Sequence, residues 1–376
     1  MTLIKKIIIV GGGPAGSYLA YLLSKKGIYP IIFDHSHPRE KPCGGGITTL
    51  AIEKFPILNE IPEEKYMEKE MEIISSKGIS VMTRGKNYSW GVSRKTLDKF
   101  LLDSAIKNGC KLIAERVVDI KKVGDGWKIK TTENEYGADI IIGADGVDSI
   151  VRRKLLKPIS KQNLGVCYGC FAISNKNEIS KIEFFKDKQG YAWCFPRHDH
   201  LSIGVGVEFS NSKNAKKLLE DFVKEHYPHV TIQKKWGAKI PNVKNLDFYD
   251  RPCADNNWIL IGDAAGHVDS VSGEGITYAL WSAELAADSI IQDNPKLFDK
   301  MWREEYGERL IGSCKSRDLF YNSLLLDSSM KLARRSNTFS TFLYDALNNQ
   351  LPALYFYKRL LKDFPKIFYE YVRSKL

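Results

Sequence analysis

The sequence predicts a mixed α/β protein with a Rossmann-like nucleotide-binding domain, a second, α+β domain built on an antiparallel sheet, and a helical C-terminal region. The first observation is a strand, a glycine-rich turn and a helix in succession near the N-terminus. The second is the alternation of apolar and polar residues over residues 165–208, and the third is helical patterning from residue 301 onward. A chain of 376 residues is long enough for two such domains.

Composition and charge exclude several classes of protein. Hydrophobic residues make up 43% and charged residues 27% of the chain, which is typical of a globular protein. No apolar run approaches the ~20 residues of a membrane span. Lys5 and Lys6 precede only four apolar residues, so we expect no signal peptide and a cytoplasmic protein. The net charge of +11 suits an anionic partner or simple solubility, but no basic block with interleaved aromatics predicts nucleic-acid binding.

The cysteines predict neither disulfides nor a metal site. Seven cysteines at irregular spacings are typical of reduced thiols. Cys167 and Cys170 form a C-x-x-C pair, but the surrounding LGVCYGCFAI has the pattern of a strand. Since residues three apart on a strand face opposite sides, we assign the pair no metal or redox role.

The N-terminal segment predicts a dinucleotide site. Gly11, Gly13 and Gly16 have G-x-G-x-x-G spacing between a short apolar strand and a helix. Gly11 permits the tight turn, Gly13 lets the backbone approach a pyrophosphate, and Gly16 lets helix and strand pack closely. Asp34 ends the next strand, 18 residues after Gly16, where it can accept hydrogen bonds from a ribose hydroxyl. This pattern alone does not distinguish NAD from FAD.

Three later segments distinguish the two cofactors. They read RKTLDKFLLDSAIKNG (94–109), IGADGVDSIVRR (142–153) and ILIGDAAGHVDSVSGEGIT (259–277). Together with the N-terminal motif they resemble the FAD-binding set of the p-hydroxybenzoate hydroxylase superfamily. The resemblance implies that FAD is the cofactor.

The same resemblance implies roles for residues in these segments. Arg94 would reach the phosphate and ribityl region, and Asp263 would hold the ribityl chain. Gly275 and Ile276 would open a helix whose N-terminus faces the flavin, where its dipole favours the anionic reduced state. Arg94 could instead be a surface arginine, but the start of a helix is a poor place for a cation, so its position favours an anionic partner.

Two stretches resemble the geranylgeranyl reductase branch of this superfamily. One is KPCGGGI (41–47), and the other is GYAWCFPR (190–197), which is similar to the Y-x-W-x-F-P signature of the branch. Where the branch often has a proline, three residues before the tyrosine, this chain has Lys188. Tyr191, Trp193 and Phe195 alternate, so a strand would carry all three rings on one face. That face either packs the core of its own domain or lines a tunnel for an isoprenoid chain.

The glycines at 44 to 46 allow the backbone to press against a flat ring system, because they carry no Cβ. The resemblance implies that Cys43 lies near the flavin. It would donate a proton, orient the water that does, or simply fill space. Beyond the residues named for the N-terminal motif, the predicted cofactor-binding set is Ala15, Cys43, Gly44, Gly46, Arg94, Val118, Asp263, Gly275 and Ile276.

The resemblance implies FAD-dependent reduction of C=C double bonds in a geranylgeranyl chain. The chain would belong to an archaeal-type glycerolipid precursor, a quinone or a prenyl diphosphate. A flavin monooxygenase, or a non-catalytic lipid-binding or electron-transfer flavoprotein, are the alternatives. Gly204 and Gly206 lie in a predicted strand and lack a third glycine, so no second dinucleotide fingerprint is present. The electron donor, NAD(P)H or a ferredoxin, stays open.

The domains are expected to be discontinuous in sequence. We assign residues 1–75, 94–155 and 250–300 to the FAD-binding domain, 76–93 and 156–249 to the substrate domain, and 301–376 to the C-terminal helical region. From residue 352 onward the tail has six Lys or Arg against two Asp or Glu, among Tyr and Phe. Such a helix either contacts a membrane surface, which would place the protein on the inner face of the cell membrane, or covers the substrate domain.

Overall fold

A computed structural model of the protein describes residues 5–62, 65–186, 190–348 and 353–374. Lys188 lies outside these residues. The strands are β1 Ile7–Val10, β2 Ile31–Phe33, β3 Gly46–Ile47, β4 Lys65–Ile74, β5 Ser80–Val92, β6 Lys111–Ile113, β7 Val117–Val123, β8 Gly126–Thr131, β9 Glu135–Ala138, β10 Ile140–Gly143, β11 Leu164–Ile173, β12 Ser180–Phe184, β13 Tyr191–Pro196, β14 Leu201–Glu208, β15 Thr231–Pro241, β16 Ala254–Asp255 and β17 Trp258–Leu260. The α-helices are α1 Pro14–Ser24, α2 Thr49–Lys54, α3 Arg94–Lys107, α4 Ile150–Leu155, α5 Ala215–His226, α6 Ile276–Ile291, α7 Leu297–Trp302, α8 Glu308–Phe320, α9 Ser323–Ala333, α10 Asn337–Leu347 and α11 Ala353–Arg373.

The first sheet is the predicted Rossmann-like unit. Within the described residues its order is β16-β17-β10-β1-β2-β6, and every pairing is parallel except that of β16 with β17. The IIIV run of β1 is buried at every position, as expected for a parallel strand covered on both faces. Helix α1 packs against both α3 and α6. It directly follows β1 in the chain, so the glycine-rich turn lies between β1 and α1.

The second sheet has the order β15-β11-β14-β13-β12-β4-β5-β3 among the described strands. Its pairings are antiparallel except for β12 with β4, so the predicted antiparallel domain is confirmed with one parallel pair. The edge strand β3 is the end of the KPCGGGI segment. That segment therefore runs from the FAD-binding unit to the edge of the second sheet.

The pairing of β4 bears on one boundary of the predicted domains. Residues 65–74, which we assigned to the FAD-binding domain, form β4 and are hydrogen bonded to β5 and β12 of the second sheet. The apolar Met71 and Ile73 of this strand are buried under the C-terminal helices. We propose that the substrate domain begins at residue 65 rather than 76.

The second sheet is covered on both faces. One face packs against the C-terminal helices, through a cluster that includes Ile182, Phe184, Phe342 and Ile367. The other packs against α5, and Cys170 lies in that cluster whereas Cys167 lies in a cluster on the opposite face, as expected for positions three apart. All seven cysteines are free thiols. Among the described helices, none is both long and apolar enough to cross a bilayer.

Candidate cofactor and substrate site

The glycine-rich turn has the shape that a pyrophosphate requires. Gly11 has φ +105°, and a Cβ there would lie 2.3 Å from the carbonyl oxygen of Ala144. A Cβ on Gly16 would lie 2.0 Å from the carbonyl oxygen of Gly11, so this glycine serves the packing of α1 on β1. By contrast, no atom lies within 4 Å of the Cβ position of Gly13. Helix α1 has no side-chain cap, so its first N–H groups can meet an anion in this space.

Asp34 lies at the end of β2, beside the turn. Its Oδ2 accepts a hydrogen bond of 2.8 Å from the backbone N–H of Gly12, and its Oδ1 accepts from the backbone and hydroxyl of Ser36. Burial disfavours the charged carboxylate, but these hydrogen bonds outweigh burial and lower the pKa of Asp34. The group is thus held as an anionic acceptor, and its contact with a ribose hydroxyl stays a prediction.

Arg94 has a buried side chain whose anionic partner lies within the chain. Its Nε and Nη2 donate to the carboxylate of Asp98 at 2.7 and 2.8 Å. Burial opposes the charge, but Asp98 and the neighbouring Cys43 more than compensate and raise the pKa of Arg94. The i, i+4 spacing of Arg94 and Asp98 on a predicted helix could have predicted this ion pair from the sequence. Contact of Arg94 with FAD therefore stays a prediction.

Cys43 is fixed by the second sheet through its backbone. Its carbonyl oxygen accepts hydrogen bonds from Arg197 Nη2 at 2.7 Å and from Ser202 Oγ at 2.8 Å. Its Sγ accepts from the backbone N–H of Gly45 at 3.3 Å. Cys43 is partly exposed and lines the main cavity described below.

A partly buried carboxylate that sequence analysis missed joins three parts of the site. Glu40 accepts hydrogen bonds from the backbone N–H of Arg94 at 3.0 Å and of Lys95 at 3.2 Å, and from the hydroxyl of Ser93. It also forms an ion pair with Arg197, whose side chain has an exposed fraction of 0%. Burial opposes ionisation, but Arg197 and these donors prevail and lower the pKa of Glu40. The start of α3, the glycine loop and the end of β13 are thereby held together.

The three predicted rings of β13 do share one face. Tyr191 and Trp193 have ring centroids 5.9 Å apart, and those of Trp193 and Phe195 are 6.3 Å apart. Ala192 and Cys194, between them, point to the opposite face and pack in the cluster under α5. This arrangement follows from the two-residue period of a strand.

Neighbouring glycines bring this aromatic face close to the glycine loop. A Cβ on Gly44 would lie 2.8 Å from the ring of Phe195 and 3.5 Å from Nε1 of Trp193, so the loop lies directly against the rings. On β14, a Cβ on Gly204 would lie 2.3 Å from the Trp193 ring. Gly204 therefore makes room for the indole within the strand, rather than binding a nucleotide.

Further aromatic residues, missed by sequence analysis, extend the wall. Trp236 of β15 has its ring centroid 6.2 Å from that of Trp193. Phe184 of β12 is 6.0 Å from Tyr191 and 5.5 Å from Phe320 of α8. The C-terminal helical region thus contributes to the apolar wall. The sequence analysis did not predict this, because it treated residues 301–376 as a region separate from the substrate domain.

A single cavity of about 770 Å³ connects these parts. It is lined by the glycine-rich turn, the glycine loop at 44 to 46 and the aromatic wall. Every residue that we assigned to the cofactor or substrate site lines it, including Ala15, Val118 and Ile276, with the exception of Gly16, which serves packing. The structure therefore brings the predicted nucleotide site and the predicted apolar site into one space.

The loop before α6 also lines the cavity. Helix α6 begins directly after Gly275, and a Cβ on Gly275 would lie 3.3 Å from Oδ1 of Asp263. The preceding Glu274 also lines the cavity, and its Oε1 accepts a hydrogen bond of 2.8 Å from the N–H of Thr277. Its Oε2 is buried and has no hydrogen-bond partner among the described residues. Burial raises the pKa of Glu274 to about 7.

Replacing Glu274 by Gln should therefore stabilise the protein at alkaline pH. A carboxyl whose pKa is raised by folding stabilises the fold below its unfolded value and loses this contribution as pH rises through the folded value. Gln mimics the protonated acid, so we expect E274Q to exceed wild type by about 1 to 3 kcal/mol near pH 8 and to match it near pH 5. Urea denaturation at both pH values measures this, and an equal effect at both would contradict the assigned protonation.

The residues present fit FAD. The turn at Gly13 leaves open space at a helix N-terminus, Asp34 is an anionic acceptor, and the glycine loop offers a flat backbone surface beside a second helix start. A family model described as FAD binding domain matches residues 5–288 of the chain. This range contains all the residues that line the cavity except four in the C-terminal helical region, which are Phe320, Tyr321, Leu347 and Asn348.

Curated relatives extend over nearly the whole chain. An uncharacterised protein of Methanosarcina barkeri is 30% identical over 87% of this chain and 86% of its own. A protein of Synechocystis named geranylgeranyl diphosphate reductase is 26% identical over 91% and 93%. A protein of Methanococcus vannielii named digeranylgeranylglycerophospholipid reductase is 27% identical over 83% and 86%.

Solved structures show the same fold. A geranylgeranyl bacteriochlorophyll reductase-like protein of Thermoplasma acidophilum has a TM-score of 0.74 at 19% identity, covering 98% of this chain and 99% of its own. A flavin-dependent brominase has a TM-score of 0.76 at 16% identity, covering 96% and 99%. Together with the family match, these findings show that the chain belongs to the FAD binding domain family of flavin-dependent oxidoreductases, is similar to the geranylgeranyl reductases, and has FAD as its cofactor.

Proposed function

We propose that the protein reduces C=C double bonds in geranylgeranyl chains, using FAD, on membrane lipid precursors such as digeranylgeranylglycerophospholipids. One observation carries the proposal: the glycine loop at 44 to 46 lies against Phe195 and Trp193 inside the same cavity as the nucleotide turn. The names of the curated relatives support this class of substrate. NAD(P)H or a ferredoxin would supply the electrons.

An isoprenoid chain offers little but apolar surface to bind. At ~0.8 kcal/mol per buried carbon, a C20 chain gains roughly 16 kcal/mol of gross transfer free energy, from which association and ordering costs are subtracted. Large rings provide such contact, since each buries roughly 150 to 250 Å². The wall formed by Tyr191, Trp193, Phe195, Phe184 and Trp236 would therefore hold the chain by apolar contact and exclude water from it.

Saturation of a double bond requires a hydride at one carbon and a proton at the other. FAD, when bound and reduced, supplies the hydride. We propose that Cys43 donates the proton or holds the water that does, because it lines the cavity and its carbonyl is held by Arg197 and Ser202. Gly44 lets the loop pack directly against Phe195, so Cys43 lies beside the aromatic wall on which the chain would be held.

Anaerobic turnover tests the proposal. The reduced holoprotein is incubated with a digeranylgeranylglycerophospholipid without oxygen, and the lipid is analysed by mass spectrometry. We expect a gain of two mass units per bond reduced and reoxidation of the flavin, and C43A should slow both while keeping FAD. Unchanged lipid with stable reduced flavin would favour a carrier, and an oxygen-dependent product would favour a monooxygenase.

Removing the central ring should impair lipid reduction without loss of FAD. Trp193 forms the middle of the aromatic wall, so W193A removes contacts on both sides of it. We expect the kcat/KM for the lipid to fall by about tenfold or more, which corresponds to about 1.4 kcal/mol of lost transition-state stabilisation. F222A, on the opposite face of the sheet, is the control, since it also deletes a buried ring but leaves the wall intact. Equal kinetics of W193A and wild type would exclude the wall as the substrate site.

A further inference from the structure

The last helix, α11, presents a row of large apolar side chains to solvent. Leu361, Phe364, Phe368 and Val372 have exposed fractions of 76, 56, 57 and 41%. Their spacing of three, four and four residues places them on one face of the helix, which we call the outer stripe. A contiguous exposed apolar row of this kind is uncommon on a soluble protein and indicates an interaction site.

The opposite face of α11 is already used for packing. Ile367 is 3% exposed and lies in the core between the C-terminal helices and the second sheet. Arg359 donates to the carboxylate of Asp345 on α10 at 2.7 Å, and Glu370 accepts hydrogen bonds from Ser336 at 2.6 Å and Thr338 at 2.8 Å at the start of α10. Contacts near both ends thus fix the rotation of α11. The outer stripe cannot turn inward without breaking them.

A row of cations runs beside the outer stripe. Lys362, Lys366 and Arg373 are exposed, and their spacing of four and seven residues also places them on one face. Tyr369, 63% exposed, lies between this row and the stripe. The sequence as a whole carries a net charge of +11. The partner of this surface should therefore be apolar where it meets the stripe and anionic where it meets the cations.

The first turns of α11 lie near residues that line the cavity. Leu347 and Asn348, at the end of α10, line the cavity. Ala353, the first residue of α11, is the fifth residue after Asn348, so the two lie within about 18 Å of each other. Arg359, bound to Asp345, holds the following turn of α11 against α10.

We propose that α11 docks the protein on an anionic lipid bilayer, with the outer stripe in the acyl–headgroup boundary and the cationic row on lipid phosphates. A second copy of the chain fits the surface less well, because antiparallel two-fold pairing of α11 through the stripe would bring the two cationic rows to the same side of the interface. This inference deepens the proposed function, since it says where an isoprenoid lipid is met. Vesicle binding can nevertheless be measured without any turnover.

The test is sedimentation of the holoprotein with vesicles of equal phosphatidylglycerol and phosphatidylcholine, or of phosphatidylcholine alone. Wild type should sediment with the anionic vesicles and dissociate as salt is raised. F364S/F368S should weaken this binding by about tenfold or more, whereas V123S/I173S, which replaces two exposed apolar residues elsewhere, should not. K362E/K366E should reduce binding to the level seen with phosphatidylcholine. Thermal unfolding and flavin absorbance confirm that each variant is folded. If F364S/F368S does not fold, vesicle binding by K362E/K366E tests the inference.

Three results would overturn the inference. They are wild type that stays in the supernatant, F364S/F368S that binds like wild type, and a dimer in analytical ultracentrifugation that the same variant abolishes. Reduction of lipid dispersed in detergent micelles should be unchanged in F364S/F368S. Failure of vesicle binding and failure of reductase activity are therefore separate results.

Discussion

G13A is expected to fold like wild type and to bind FAD about 10- to 100-fold more weakly. Gly13 has φ −73°, a conformation that alanine also adopts, and no atom lies within 4 Å of the added Cβ. The methyl group would instead occupy the space that a pyrophosphate needs above the start of α1. Flavin fluorescence titration of the apoprotein measures the affinity, and thermal unfolding of the apoprotein measures stability.

G16A is the matched control, since it adds the same methyl group three residues later. Its Cβ would lie 2.0 Å from the carbonyl oxygen of Gly11, so α1 has to move away from β1. We expect G16A to lower the stability of the apoprotein, whereas G13A leaves it unchanged. Wild-type affinity for FAD in G13A would show that the cofactor does not approach this turn.

R197M is expected to destabilise the protein by about 1.5 to 3 kcal/mol, because it removes the cation that is paired with the partly buried carboxylate of Glu40. The Arg197 side chain is fully buried, and it also donates to the carbonyl oxygen of Cys43 at 2.7 Å. Its loss should loosen the glycine loop and weaken FAD binding as well. Urea denaturation with and without FAD measures both effects.

The double variant E40Q/R197M separates the ion pair from general packing. Removing the second charge should recover part of the stability lost in R197M, since the partly buried carboxylate that lacks its cation is then gone. Recovery would be incomplete because Glu40 also accepts from the N–H groups at the start of α3. The free energies of unfolding lost in E40Q and in R197M are compared with the loss in the double variant. If the two single losses simply add up to the double loss, Glu40 and Arg197 are not directly coupled.

Local sequence patterns were sufficient to predict the parts of the site that are formed by residues close together in the sequence. The turn at Gly11 to Gly16 lies where a strand, glycines and a helix predict it, because each glycine answers a local steric requirement. The shared face of Tyr191, Trp193 and Phe195 follows from strand period alone. The strand character of LGVCYGCFAI likewise separates Cys167 from Cys170.

Contacts between distant residues were beyond sequence reasoning. Glu40 and Arg197 are 157 residues apart, and no periodicity relates them. The partners of β4 were missed for the same reason: its KYMEKEMEII pattern predicts a strand but does not say which sheet it joins. Phe320 and Leu347 join the cavity wall only because the C-terminal helices fold back over the second sheet.

Binding of a saturated lipid to the oxidised holoprotein tests most directly whether flavin and isoprenoid chain share one cavity. A phytanyl glycerophospholipid cannot be reduced, so any change in visible flavin absorbance on titration reports contact rather than turnover. Contact between the chain and the flavin predicts a saturable spectral change that W193A weakens and F222A retains. If calorimetry shows that the lipid binds but the flavin spectrum does not change, the apolar chain lies elsewhere. That result would contradict the claim that flavin and isoprenoid chain share one cavity.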